Sequence, residues 1–117
     1  MRSGFVDYVV DDLLGEVKGV RAKAMFGGHG VYKGDTFFAI IVDDELYYKA
    51  DTSTRKDYEK YGSEPFSYSR KGKKAVTMSY WKLPAEVMDD RQELLEWTEK
   101  AVRVARAKKK SSPAAEA

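Results

Sequence analysis

His29, the only histidine in the chain, sits inside a glycine cluster, Phe26-Gly27-Gly28-His29-Gly30. A lone imidazole can move protons near neutral pH, and glycines can let a backbone approach a phosphate. Neither chemistry is well furnished here. A phosphate loop needs G-x-x-x-x-G-K-[ST], and no lysine followed by Ser or Thr stands at that offset. A dinucleotide fingerprint needs a helix after the glycines, whereas extended residues follow. No nucleophile is placed beside His29, and no second histidine exists to build an ordinary zinc site. The stretch reads as a bulged strand packed close under a helix, a usual meaning of glycine inside a strand. His29 then reads as a surface or half-buried structural group.

The other charged constellations are similarly modest. Asp11-Asp12, Asp43-Asp44 and Asp89-Asp90 are adjacent carboxylates, and adjacent residues do not face one another on a helix. Asp43-Asp44 reads as a hairpin turn and Asp89-Asp90 as a helix cap. Lys49 lies between aromatics and can pack its stem with its charge outward, with Glu45 and Asp51 as partners nearby in sequence. It is also, with His29, a candidate anion-binding group. Arg70, Lys71, Lys73 and Lys74 share a hairpin, with Tyr68, Tyr80 and Trp81 near it. Arg103 and Arg106 continue into a basic helix end, Lys108 to Lys110. Cations interleaved with aromatics can hold nucleic acid through phosphate contacts and stacking. They also serve as a solubilising turn and a helix C-terminus favoured by positive charge.

The elements that must position these residues follow from periodicity. Phe5, Val6, Val9, Val10, Leu13, Leu14 and Val17 repeat at steps of three and four, giving a helix over about residues 4 to 18, with Ser3 as N-cap and Gly19 as stop. Gly15 weakens its last turn. A meander of three strand-like pieces spans Ala24 to Lys49, cut at Lys33-Gly34-Asp35 and at Asp43-Asp44. Thr36–Val42 is apolar on both faces, as in a strand covered twice, or covered once and paired with a partner chain. A short helix from Thr54 to Tyr61 ends at Gly62. A second hairpin joins Phe66–Arg70 to Ala75–Tyr80. Pro84 begins a helical turn, and Asp90 with Glu93 makes a capping box for a long helix to about Lys108. The order is α-β-β-β-α-β-β-α, an α+β fold with an antiparallel sheet and flanking helices. Residues 1–108 form one domain, and 109–117 read as a disordered tail.

Composition narrows the class further. The chain has 117 residues, enough for one domain with a real core. Lys+Arg 21 against Asp+Glu 19 leaves a net charge of +2, too balanced to indicate a nucleic-acid protein overall. The absence of cysteine excludes disulfides and thiol catalysis. No apolar run approaches the ~20 residues of a membrane span. The N-terminus lacks a signal-peptide core, so a cytoplasmic protein is expected.

Taken together, Arg21 to Tyr32 with its Met25-Phe26-Gly27-Gly28-His29-Gly30 centre, then Tyr47-Tyr48-Lys49-Ala50-Asp51, Phe66, Tyr68, Met78-Ser79-Tyr80-Trp81-Lys82-Leu83-Pro84 and Leu94-Leu95-Glu96-Trp97, resemble the N-terminal domain of the TfoX/Sxy family of competence regulators. The resemblance runs over about residues 4 to 106. It implies a fold like that of type III secretion chaperones, a homodimer, no enzymatic activity, no catalytic residues and no cofactor. Full-length members regulate DNA-uptake genes and carry a further helical domain, so the chain is expected to be a stand-alone form. A protein partner from the transcription machinery is implied, with no membrane partner. Alternatives are a nucleic-acid-binding accessory protein and a small-anion-binding protein. The residues expected to form an interaction surface or groove are Phe26, Gly27, Gly28, His29, Gly30, Tyr32, Tyr48, Lys49, Tyr80 and Trp81. Those expected to contact nucleic acid are Arg70, Lys71, Lys73, Lys74, Arg103 and Arg106.

Overall fold

The computed structural model describes residues 4–25, 28–68 and 76–111. Two tight turns set its sheet. β2 (Gly28–Lys33) reverses into β3 (Thr36–Val42) with Gly34 at φ +61°, a left-handed conformation that glycine takes without a Cβ clash. β3 reverses into β4 (Glu45–Lys49) through Asp43 and Asp44, at φ 52° and 60°. Two consecutive left-handed residues are the type I′ geometry that matches strand twist. Both turns lie where the sequence places them.

The meander has a further strand at its front. β1 (Val20–Met25) pairs antiparallel with β2, Val20 opposite Lys33 and Met25 opposite Gly28. The glycine-rich piece is therefore one arm of a hairpin, and the sheet has six strands where the sequence suggests five. β5 (Pro65–Tyr68) and β6 (Val76–Lys82) form the second hairpin, and β6 docks on β4. The strand order is β1-β2-β3-β4-β6-β5, antiparallel throughout. With α2 (Arg55–Lys60), α3 (Ala85–Met88) and α4 (Arg91–Ser111), this is the expected α+β class.

The first helix departs from expectation. α1 (Gly4–Asp7) runs into a π-helical segment, Tyr8–Leu13, and ends there rather than near Lys18. The Leu14 amide donates to the Val9 carbonyl at 2.9 Å, five residues back, and Val17 donates to Leu14 in a turn. The wider winding brings adjacent Leu13 and Leu14 both into the core, and Gly15 removes the propensity to continue. Ser3 lies outside the described residues. α2 is preceded by Asp51, whose Oδ1 accepts from the amides of Ser53 and Thr54 at 2.9 Å. α4 has half of its expected capping box. The Glu93 amide donates to Asp90 Oδ1 at 3.1 Å, while the Glu93 carboxylate accepts from Trp97 Nε1 instead of reaching back. α4 continues to Ser111, and residues 112–117 lie outside the described region.

The helices and one sheet face share a single core. Val6, Val9 and Leu14 meet Val31, Phe38, Ile41, Leu46 and Tyr48 of the sheet and Leu94, Trp97, Ala101 and Val102 of α4. A bulge explains the apolar run in β3. Tyr32 faces Phe37 and Val31 faces Ala39, leaving Phe38 as the extra residue. Phe38 and Ala39 are both fully buried in the core, so neighbouring residues serve one face. No helix among the described residues is long and apolar enough to cross a membrane.

Candidate functional site

Strand register sorts the expected surface residues into two groups. Paired residues in an antiparallel sheet share a face. Tyr48 pairs with Ala39 and Trp81, and Leu46 with Ile41, all on the helix side. Tyr48 is 0% exposed, with its ring edge-on to Phe38 at 5.7 Å between centroids. Trp81 packs against the same core, near Tyr58. His29, opposite Ala24 and Ile41, has the helix-side parity and is half-buried. These three are thus separated by the sheet from the other described members of the expected surface set.

The remaining described members, with residues sequence reasoning did not single out, build the opposite face. One row reads Arg21, Tyr32 and Phe37 across β1, β2 and β3, and Lys49 with Tyr80 across β4 and β6. The Tyr32 and Phe37 rings stack at 5.1 Å, and Phe37 reaches Tyr80 at 5.7 Å. The Arg21 guanidinium lies 4.9 Å from the Tyr32 ring centre, and Lys49 Nζ 4.9 Å from that of Tyr80. These are cation–π distances, so a positive charge closes each end of an aromatic row. The next row reads Lys23, Gly30, Ile40, Tyr47 and Lys82. It too is apolar in the middle with a cation at each margin. Lys82 is ion-paired with Glu45, and Phe66 stands edge-on to Tyr47 at 5.2 Å. Ile40 and Tyr80 are nearly buried yet stand outside the core cluster that the helices share. The face is a separate apolar layer.

Lys49 donates to Ser79 Oγ at 2.6 Å. Asp51, expected as its partner, spends Oδ1 on the turn before α2, and the hydrogen bonds from Thr54 and Ser53 hold its carboxyl below the usual range. Burial pushes the Tyr80 phenol up to about 12, with Tyr32 adding to the shift, so this phenol stays protonated well above neutral pH.

The glycines shape that layer rather than a phosphate cradle. A Cβ on Gly28 would lie 2.4 Å from the Ile41 carbonyl oxygen, and one on Gly30 would meet the Met25 methyl at 2.7 Å and Phe37 at 3.0 Å. The close approach is real, but it is to the neighbouring strand and to the face opposite the helices, not under a helix. Gly28→Ala is expected to cost about 1–3 kcal/mol, because a backbone carbonyl must move. Gly30→Ala should cost less, since the end of Met25 can swing aside. Thermal melts of the two variants check this order.

Phe26, Gly27, Arg70, Lys71, Lys73 and Lys74 lie outside the described residues. Of the expected nucleic-acid set, Arg103 and Arg106 are described. Arg103 pairs with Glu99 at 3.0 Å, and Arg106 Nε donates to Thr36 Oγ1 at 3.2 Å. No group of three or more His, Asp or Glu stands together as a metal site among the described residues.

Residues 12–105 match the model of the TfoX N-terminal domain. Over 80 residues the chain is 30% identical to the DNA transformation protein TfoX1 of Aliivibrio fischeri, a stretch covering 63% of this chain and 38% of that protein. The chain thus spans well under half the length of this curated relative.

Proposed function

The chain belongs to the TfoX N-terminal domain family, and on that premise we propose that it is a non-enzymatic interaction module of a regulatory system, acting in DNA transformation as the name of its relative suggests for that protein. The observation that carries this reading is the aromatic layer of Tyr32, Phe37 and Tyr80 on the sheet face opposite the helices, with Arg21 and Lys49 at its ends. Aromatic residues and arginine are the side chains that anchor protein interfaces. The cationic margins suit an acidic protein surface, and their charge speeds encounter with one.

Affinity capture from extract of the source cells tests the reading, comparing wild type with Phe37→Glu and Tyr32→Ser. A protein held by wild type is expected to be lost from both variants, with affinity reduced more than about tenfold. Matched melting temperatures establish that the variants are folded. A sedimentation mass of a dimer that falls to a monomer in the variants would identify a second copy as the occupant. Binding that survives both substitutions would reject this face. Retention by immobilised DNA at low salt, where phosphate contacts are strongest, would favour nucleic acid instead.

A further inference from the structure

A cleft of about 430 Å³ opens beside α4 on the helix side of the sheet, next to the turn between β2 and β3. Leu95 and Val102 from α4 and Val17 from the loop after the π-helical segment supply apolar walls. Lys33, Arg103 and Arg106 supply cations. The hydrogen bond to Thr36 holds the Arg106 side chain against the first residue of β3, close in sequence to Lys33. Glu99 is the acidic residue of the lining, and it is engaged by Arg103. Among the described residues no carboxylate lies within ion-pair distance of Lys33 or Arg106.

The geometry points to a binding site for a small amphipathic monoanion, a free carboxylate carried on a short aliphatic or single-ring body. The volume lies in the range of small-ligand pockets, and such pockets combine apolar walls with a few polar groups that fix orientation. The charge balance at the mouth is net positive, because three cations face one carboxylate. Arg106 offers fork geometry suited to a carboxylate, and Lys33 adds a point charge. The Arg103–Glu99 pair is exposed on both sides, so it holds little energy against rearrangement around an incoming anion. A polyanion fits less well, because Glu99 adds a negative charge to the lining. This site is on the other side of the sheet from the aromatic layer, so it stands or falls separately from the interaction reading.

Calorimetric titration of the full chain with octanoate, octan-1-ol and octylammonium tests the proposal. Octanoate is expected to bind and to raise the melting temperature by mass action. The alcohol and the ammonium should bind at least about tenfold more weakly, the worth of one charge-assisted contact. Lys33→Gln with Arg106→Gln should weaken octanoate by at least about tenfold while leaving the ligand-free melting temperature near wild type. No heat with octanoate at millimolar concentration would overturn the assignment. So would equal binding of octan-1-ol, which marks a merely apolar contact, or octanoate binding unchanged in the double variant. Sedimentation with phosphatidylglycerol vesicles in the absence of octanoate binding would also overturn it, placing the contact at a lipid surface.

Discussion

Tyr48→Ala is expected to destabilise the chain by about 3–5 kcal/mol, the range for truncating a large buried ring. The residue is fully buried between β3 and α4, edge-on to Phe38, and its hydroxyl lies 2.6 Å from Thr98 Oγ1. Thr98 is itself 2% exposed and gives its proton to the Leu94 carbonyl at 2.7 Å. A threonine hydroxyl has one proton, so Tyr48 is the donor in the pair. Removing the ring opens a cavity where sheet and helix meet and deprives Thr98 of a partner. Against a total of roughly 5–15 kcal/mol for a domain, such a loss leaves little folded protein on warming. Tyr48→Phe keeps the ring and should cost only about 1 kcal/mol, because Thr98 retains its bond to Leu94. Urea unfolding at neutral pH measures both. A Tyr48→Ala midpoint close to wild type would contradict the burial described here.

Alkaline pH should unfold the chain through its buried phenols. Burial raises the pKa of Tyr48, Tyr58 and Tyr80, the last to about 12, and their neighbours only modify that effect. In the unfolded chain a phenol ionises near pH 10. Above that pH the unfolded state has released protons that the native state still holds, so stability falls as pH rises. The contribution is fully present below about pH 10 and is lost above it, for Tyr80 over the interval up to about pH 12. Each residue contributes a slope of at most about 1.4 kcal/mol per pH unit, so the three together reach about 4 kcal/mol per unit. Phenolate absorbance and circular dichroism, followed together, test this. The chain has 8 tyrosines. Among them Tyr48, Tyr58 and Tyr80 should ionise only as the fold is lost. Ionisation of these three near pH 10 with the fold intact would contradict it.

Much of the fold was legible where a residue's own backbone preference decides the outcome. Gly34 and Asp43-Asp44 mark their turns, Pro84 and Asp90 mark helix starts, and the α4 stripe needs only helical spacing. β1 was not legible. Arg21 and Lys23 alternate with Ala22 and Ala24, and alanine carries too little apolar signal to reveal a strand half covered by helices. The end of the first helix was missed because a π turn leaves no mark in a three-and-four pattern. The bulge at Phe38 was hidden too, since an apolar run looks the same whether it serves two faces or one face twice.

The candidate site was legible in part for the same reason. Tyr32, Lys49 and Tyr80 stood out as residue types, but what joins them is register. Tyr32 meets Phe37, and Lys49 meets Tyr80, only after non-adjacent strands have paired. Arg21 gained its meaning from β1, the strand that the pattern did not reveal. Tyr48 and Trp81 belong to neighbouring positions of the same strands, and a step of one residue sends a side chain to the other face.

The most direct test places a photo-crosslinking phenylalanine analogue at Phe37, in the middle of the aromatic layer, and at Glu96, on the exposed side of α4. Irradiation of living source cells producing either protein should give a discrete crosslinked species from position 37 and none from position 96. Equal crosslinking at both positions, or none at position 37 in a folded protein, would contradict the assignment of this sheet face as the interaction surface.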